Sequence, residues 1–342
     1  MKESEIRPLD LFNRYLALAR EDCRKLLAKT ESFIEVDCPA CGDARKSPAF
    51  CKLGFNYVSC ESCQSLYVSP RPSPELTREL YSEGKSVAFW STDFYKETCA
   101  ARKEKMFKPR AALVRELVDR YSAKTSAMVD VGAGYGMFLE EMQKLNVFDS
   151  LVAVEPNSQM ASICREKGFH VVPNRVEDVP AGTVHASCAS AFEIVEHVFS
   201  PLEFLRAVHN LLLPSGLLVL TTLTVSGFDI QVLWEHSKSV YPPHHLNLIS
   251  VTGMERLSER AGFHAVEIST PGLLDVDIVA NALREDPNIA VPRFVLQLLN
   301  GEEQTRQSFQ EFLKNNRLSS HIRVVARAQQ AFHLSLESGT SS

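Results

Sequence analysis

Apolar positions along the chain follow three successive patterns, and each predicts a different kind of element. Between about 9 and 28, in LDLFNRYLALAREDCRKLLA, residues Phe12, Leu16, Ala19, Cys23 and Leu27 recur at helical spacing. That predicts one amphipathic helix docked by its apolar face. From about 76 to 125 the period is helical but mixed, and ELYSEGKSVAFWSTDFYKE concentrates Tyr81, Phe89, Trp90, Phe94 and Tyr95. Such a cluster predicts core or interface, with a lid over a substrate pocket as the alternative. From about 126 short apolar runs alternate with helical periods: AMVDVG then MFLEEMQKL, LVAVEP then SQMASICREKG, FHVVP, the weaker ASCASAFEIV, then PLEFLRAVHNLL and GLLVLTTL. TGMERLSERAG, AVEIST, three helical stretches over about 275–316 and a last strand, HIRVVARA, complete the series. Alternation of this kind predicts an α/β fold with parallel strands and crossover helices.

The expected organisation is a helical segment over 1–34, a cysteine-bearing module over 35–75 and a helical, aromatic segment over 76–125. An α/β domain follows over 126–330 with its helical insertion at about 275–316, and then a disordered tail over 331–342. Composition narrows the class. With 45 % hydrophobic and 23 % charged residues and a net charge of −5, the chain reads as a globular protein without a dedicated nucleic-acid surface. MKESEIRPLD has no apolar core of a secretory signal, and LLLPSGLLVL is broken by Pro214 and Gly216, so no membrane span is expected. Nine cysteines, an odd number, predict a reduced, cytoplasmic protein.

Four of those cysteines carry a pattern. Cys38 and Cys41 form one CxxC and Cys60 and Cys63 a second, with eighteen residues between them. Each knuckle turns two thiolates toward one point, and the residues between make a hairpin, which suits tetrahedral zinc. Four thiolates leave no open position, so the Zn²⁺ is expected to be structural. Cys51, between the knuckles, is the spare.

The stretch VDVGAGYG places Gly132, Gly134 and Gly136 between the first strand of the alternating region and its helix. This is where an α/β sheet binds a nucleotide, and glycine lets the backbone approach the ligand. Asp130 lies in the strand end. Glu155 closes the next strand, nineteen residues after Gly136, where a carboxylate can accept both ribose hydroxyls of an adenosine. The third glycine comes one residue too early for GxGxxG, with Met137 in the place it would need, so an adenosyl ligand without a pyrophosphate fits better.

On these residues the segment from 126 to about 225 resembles the class I S-adenosylmethionine-dependent methyltransferases. VDVGAGYG resembles their first motif, VAVEP their acidic strand end, and FEIVEHVFSPLEFLRAVHNLLLPSGLLVLTT the later block. The CxxC…CxxC ribbon followed by SLYVSPRPSPEL is similar to bacterial methyltransferases with an N-terminal zinc module, including deoxysugar C-methyltransferases. The resemblance implies a Rossmann-like, seven-stranded doubly wound sheet, with HIRVVARA as the antiparallel strand, an N-terminal zinc ribbon and helical additions. It also implies S-adenosyl-L-methionine as cofactor, with Val176, Glu177 and Phe192 as further contacts.

Methyl transfer is an in-line displacement, so the protein mainly aligns the nucleophile and takes its proton where needed. The candidates are Glu193, Glu196 and His197, with His197 as base and Glu196 and His244 beside it. E-x-x-E-H also resembles the metal-binding block of ubiquinone-pathway O-methyltransferases and small-RNA 2′-O-methyltransferases. A second divalent metal at Glu193, Glu196 and His197, reached by His244 or His245 of SVYPPHHLNLIS, is therefore the alternative to a plain base. The expected acceptor is a small molecule such as a sugar, nucleotide-sugar or secondary metabolite. An RNA or protein methyltransferase using the ribbon for recognition, and a silent cofactor-binding regulator, are the competing readings.

Overall fold

The computed structural model describes residues 3–329; the expected tail over 331–342 lies outside them. Helix α1 (Leu9–Leu27) buries Phe12, Leu16, Ala19, Cys23 and Leu26. The first three of these pack with Phe89, Phe94 and Tyr241. Phe89 and Phe94 of the aromatic cluster are thus core, as their apolarity demands, while Tyr81 and Trp90 line a cavity.

Strands β1 (Lys46–Lys52) and β2 (Phe55–Cys60) form the hairpin between the cysteine knuckles, and β3 (Leu66–Val68) adds a third strand. A helical run over 85–120 follows, in which α-turns at Lys85–Phe89, Tyr95–Arg102 and Lys108–Arg120 are joined by π-turns at Trp90–Phe94 and Lys103–Phe107. Insertions of this kind widen a helix locally and recur at functional sites.

The main sheet is built from β4 (Ala127–Val131), β5 (Ser150–Val154), β6 (His170–Val172), β7 (Ala186–Phe192), β8 (Leu212–Leu223), β10 (Phe263–Ser269) and β11 (His321–Ala328). Their order is β10-β11-β8-β7-β4-β5-β6. The pairs from β8 to β6 are parallel, and β11 runs antiparallel between β8 and β10. This is the seven-stranded Rossmann-like sheet the sequence implied. Helices α2 (Met137–Leu145), α3 (Ser158–Glu166), α4 (Pro201–Asn210) and α5 (Val251–Arg260) make the crossovers or cover the sheet. β7 is buried almost throughout despite its sequence ASCASAF, because it lies in the sheet's middle between β4 and β8.

The short strand β9 (Asn247–Leu248) lies outside the main sheet. It pairs antiparallel with β3, Asn247 opposite Tyr67, so the ribbon's sheet has four strands in the order β9-β3-β2-β1. The next residues also cap α5, for Ser250 accepts from the Gly253 N–H. No helix among the described residues is long and apolar enough to cross a membrane.

Candidate functional site

A cavity of about 1030 Å³ runs from the carboxyl ends of β4 and β5 to the segment after β7. That is the upper end of ligand-site volumes, room for more than one small molecule.

Gly132, at the start of the glycine loop, lines one end. Gly132, Gly134 and Gly136 all have positive φ, at 72°, 55° and 69°. A Cβ at Gly132 would stand 2.4 Å from Ile194, and one at Gly136 3.1 Å from the Cys164 sulfur. At Gly134 it would meet nothing within 4 Å. The outer glycines thus answer close packing, and the middle one keeps an open face. Glu155 accepts from the Gly134 N–H at 2.7 Å and from the Asn157 N–H at 2.9 Å. Burial raises its pKa against those two donors. Each carboxylate oxygen keeps a lone pair, enough for two hydroxyls.

Val176 and Glu177 line the same end. Asp130 lies beneath the loop, accepts from Ser190 Oγ at 2.6 Å, and is pushed by burial to a pKa of about 7. Phe192 departs from expectation. Its ring packs edge-on against Phe138 and beneath the Arg110 guanidinium, outside the cavity lining, because the last turn of β7 points it to the α2 side.

At the other end the E-x-x-E-H block divides. Glu193 sits in left-handed backbone, φ 56°, and its Oε1 accepts from Thr221 Oγ1 at 2.7 Å, His321 Nε2 at 2.8 Å and Arg110 Nη2 at 2.5 Å. Burial alone would raise its pKa, but His321 and Arg110 outweigh burial and hold it well below the carboxylate range. The expected metal grouping of Glu193 with Glu196 and His197 is therefore corrected. The ligand atoms that converge, all within 4.8 Å of one another, belong to Glu196, His197 and His245.

Hydrogen bonds fix the tautomers of these imidazoles. His197 Nδ1–H donates to the His244 carbonyl at 3.1 Å, and His245 Nδ1–H to the Ser239 carbonyl at 2.6 Å. Each Nε2 is thereby left unprotonated, available for a proton or a metal. Burial lowers His197 to about 4 and His245 well below the usual value, so both are neutral at pH 7. Glu196 accepts from Thr222 Oγ1 at 2.6 Å and is raised to about 8 by burial and then by the Glu193 charge. His244 is buried. Its Nε2 bonds Ser86 Oγ at 2.8 Å, which donates on to Asp22 at 2.6 Å, and its ring stacks on Tyr15.

Asp22, Ser86, Arg110 and His321 escaped sequence reading, since each takes its meaning from a partner far along the chain. So did the link to the ribbon. Asn247 of β9 donates to the Val195 and Val198 carbonyls at 3.1 and 2.8 Å, and the Leu246 N–H donates to the Glu196 carbonyl at 2.8 Å. The buried Arg71 guanidinium donates to the Asn247 side chain and the Phe199 carbonyl at 2.9 and 2.8 Å. The ribbon's edge thereby braces the segment carrying Glu196 and His197.

In the ribbon itself the sulfurs of Cys38, Cys41, Cys60 and Cys63 converge, with Cys38–Cys63 and Cys41–Cys60 each 3.5 Å apart. A tetrahedron with metal–sulfur bonds of about 2.3 Å has edges of about 3.8 Å, so the group fits one zinc. Cys51 is exposed on β1, outside the group.

Residues 103–268 match the family model described as a methyltransferase domain. The chain is 30% identical over 161 residues to the tRNA U34 carboxymethyltransferase of Pseudomonas fluorescens (strain Pf0-1), covering 45% of this chain and 50% of that protein. It is 28% identical over 155 residues to the ubiquinone biosynthesis O-methyltransferase of Ruegeria pomeroyi, covering 40% and 62%. The chain thus spans about half the length of the curated relatives it matches. Among solved structures it is similar to the plantazolicin methyltransferase BpumL in complex with SAH, at 11% identity and a TM-score of 0.48 over 74% of this chain and 94% of that one. Residues 103–268 thus carry a methyltransferase domain.

Proposed function

We propose that the protein transfers the methyl group of S-adenosylmethionine to a small-molecule acceptor bound in the same cavity. The observation that carries this reading is the continuity of that cavity, which joins Glu155 and Gly132 to Glu196, His197 and His245. When bound, the cofactor supplies an activated methyl carbon on a sulfonium. Glu155 would hold the ribose hydroxyls, Val176 and Glu177 would flank the adenine, and Gly134 would leave room for the nucleoside against the backbone. His197 Nε2 would take the proton that the acceptor gives up on receiving the methyl group. Tyr81 and Trp90 on one side and Leu273 on the other enclose the acceptor.

The convergence of Glu196, His197 and His245 favours a second reading, in which the three hold a divalent ion that orients the acceptor. Two imidazoles and one carboxylate suit Zn²⁺ or Fe²⁺ better than Mg²⁺. The acceptor class is tested by supplying methyl-labelled cofactor to a cell extract separated into metabolites, RNA and protein. Label is expected in the metabolite fraction. Label in RNA or protein would overturn the small-molecule reading, and no transfer by a protein that binds cofactor would favour a silent regulator.

For the ribbon we propose one structural zinc on Cys38, Cys41, Cys60 and Cys63, in a reducing, cytoplasmic compartment that keeps all nine cysteines free. Its role is support, because β9 ties the ribbon to the catalytic segment. Elemental analysis is expected to find about one zinc per chain. Cys60→Ser should lose it and Cys51→Ser should keep it; the reverse pattern would refute the ligand set.

A further inference from the structure

We infer that Arg102 forms an anion subsite in this cavity, which binds a carboxylate or phosphate carried by one of the bound small molecules. Arg102 lines the cavity. The other basic side chains of the lining each reach a carboxylate: Arg7 meets Glu3, Lys105 meets Glu5, Arg110 meets Glu193 and Arg323 meets Glu267. Those on the periphery are paired likewise. Arg102 alone has no ion pair or hydrogen bond among the described residues, and its buried Nε has no partner.

A half-buried cation whose Nε is sealed off without an acceptor is costly, and a fold keeps one where something else completes it. Two rings offset part of the cost. The guanidinium lies over Trp90 at 5.5 Å and over Tyr95 at 5.6 Å. Such contacts are favourable but leave the donors unused. Burial, opposed by Tyr95 and Glu193 and helped by Arg7 and Arg110, lowers the pKa to about 10, and the group stays charged at neutral pH. A guanidinium short of acceptors selects an anion, and its planar fork matches a carboxylate or phosphate.

The position narrows the choice of molecule. Trp90 opens the first π-turn of the helical run and Arg102 directly precedes the second, and Tyr95 packs on Tyr135 of the glycine loop with ring centroids 4.6 Å apart. Arg102 thus stands one aromatic layer from Gly134. An anion there belongs either to the amino-acid end of the cofactor or to the acceptor.

The test compares Arg102→Met with the unaltered protein by calorimetry. The ligands are S-adenosylhomocysteine and 5′-methylthioadenosine, which lacks the amino-acid carboxylate. If the cofactor supplies the anion, the variant should lose about 10- to 100-fold affinity for the first, the worth of a charged hydrogen bond, and none for the second. If the acceptor supplies it, both affinities should stand. Phosphate or acetate should then raise the melting temperature of the unaltered protein, free or loaded, and not that of the variant. Unchanged nucleoside binding together with no difference in the anion response would overturn the subsite. The inference rests on the cofactor reading only for its first arm. Failure of both nucleosides to bind the unaltered protein would refute that reading and leave the anion arm to decide this one. Arg102→Lys, which keeps the charge and loses the fork, replaces the methionine variant if that does not fold, with an expected loss of about 3- to 10-fold.

Discussion

His197→Ala is expected to lower the rate of methyl transfer to the true acceptor by about 10²- to 10⁴-fold, the usual worth of a positioned proton acceptor. The expectation rests on a fixed tautomer. Nδ1–H is committed to the His244 carbonyl, so Nε2 carries the free lone pair, and burial keeps the ring neutral at pH 7. A chelator separates the two roles open to this imidazole. For a plain base, chelation changes nothing while the ribbon zinc, followed by elemental analysis, stays in place. If Glu196, His197 and His245 hold a catalytic ion, transfer stops with chelator and returns with a divalent metal. A His197→Ala enzyme of undiminished rate, indifferent to chelator, would leave the segment a bracing role only.

The order of strands was legible because burial between covering helices makes parallel strands short, apolar and separated by helical periods. The cysteine knuckles were legible because their spacing alone brings sulfurs together. β7 was the weak strand in the sequence, since Ala, Ser and Cys carry little strand preference. Neighbours on both sides, β4 and β8, decide its conformation. The E-x-x-E-H block reads as one group only while its backbone is imagined regular. Glu193 adopts φ 56° and turns to Arg110 and His321, which lie 83 and 128 residues away in sequence. His245, not Glu193, then completes the trio. For the same reason nothing local marked Asp22 and Ser86 as the partners that hold His244, or Arg102 as the unpaired cation of the cavity.

Loss of cofactor binding is the other large effect expected. Gly134→Val puts a branched side chain into the space beside the loop that is open within 4 Å, at a backbone φ of 55°. Strain is expected at that φ, so melting curves accompany the variant. Glu155→Ala leaves the backbone as it is and removes the carboxylate that orders the loop through the Gly134 N–H and that is proposed to hold the ribose. Two charged hydrogen bonds to a diol are worth about 10²-fold or more in affinity. The most direct measurement is a calorimetric titration of S-adenosylhomocysteine into the unaltered protein and both variants. Saturable binding by the unaltered protein, weakened at least about 100-fold in each variant that folds, is the predicted result. No binding by the unaltered protein, or equal binding by all three, would contradict the assignment of this cavity to the cofactor.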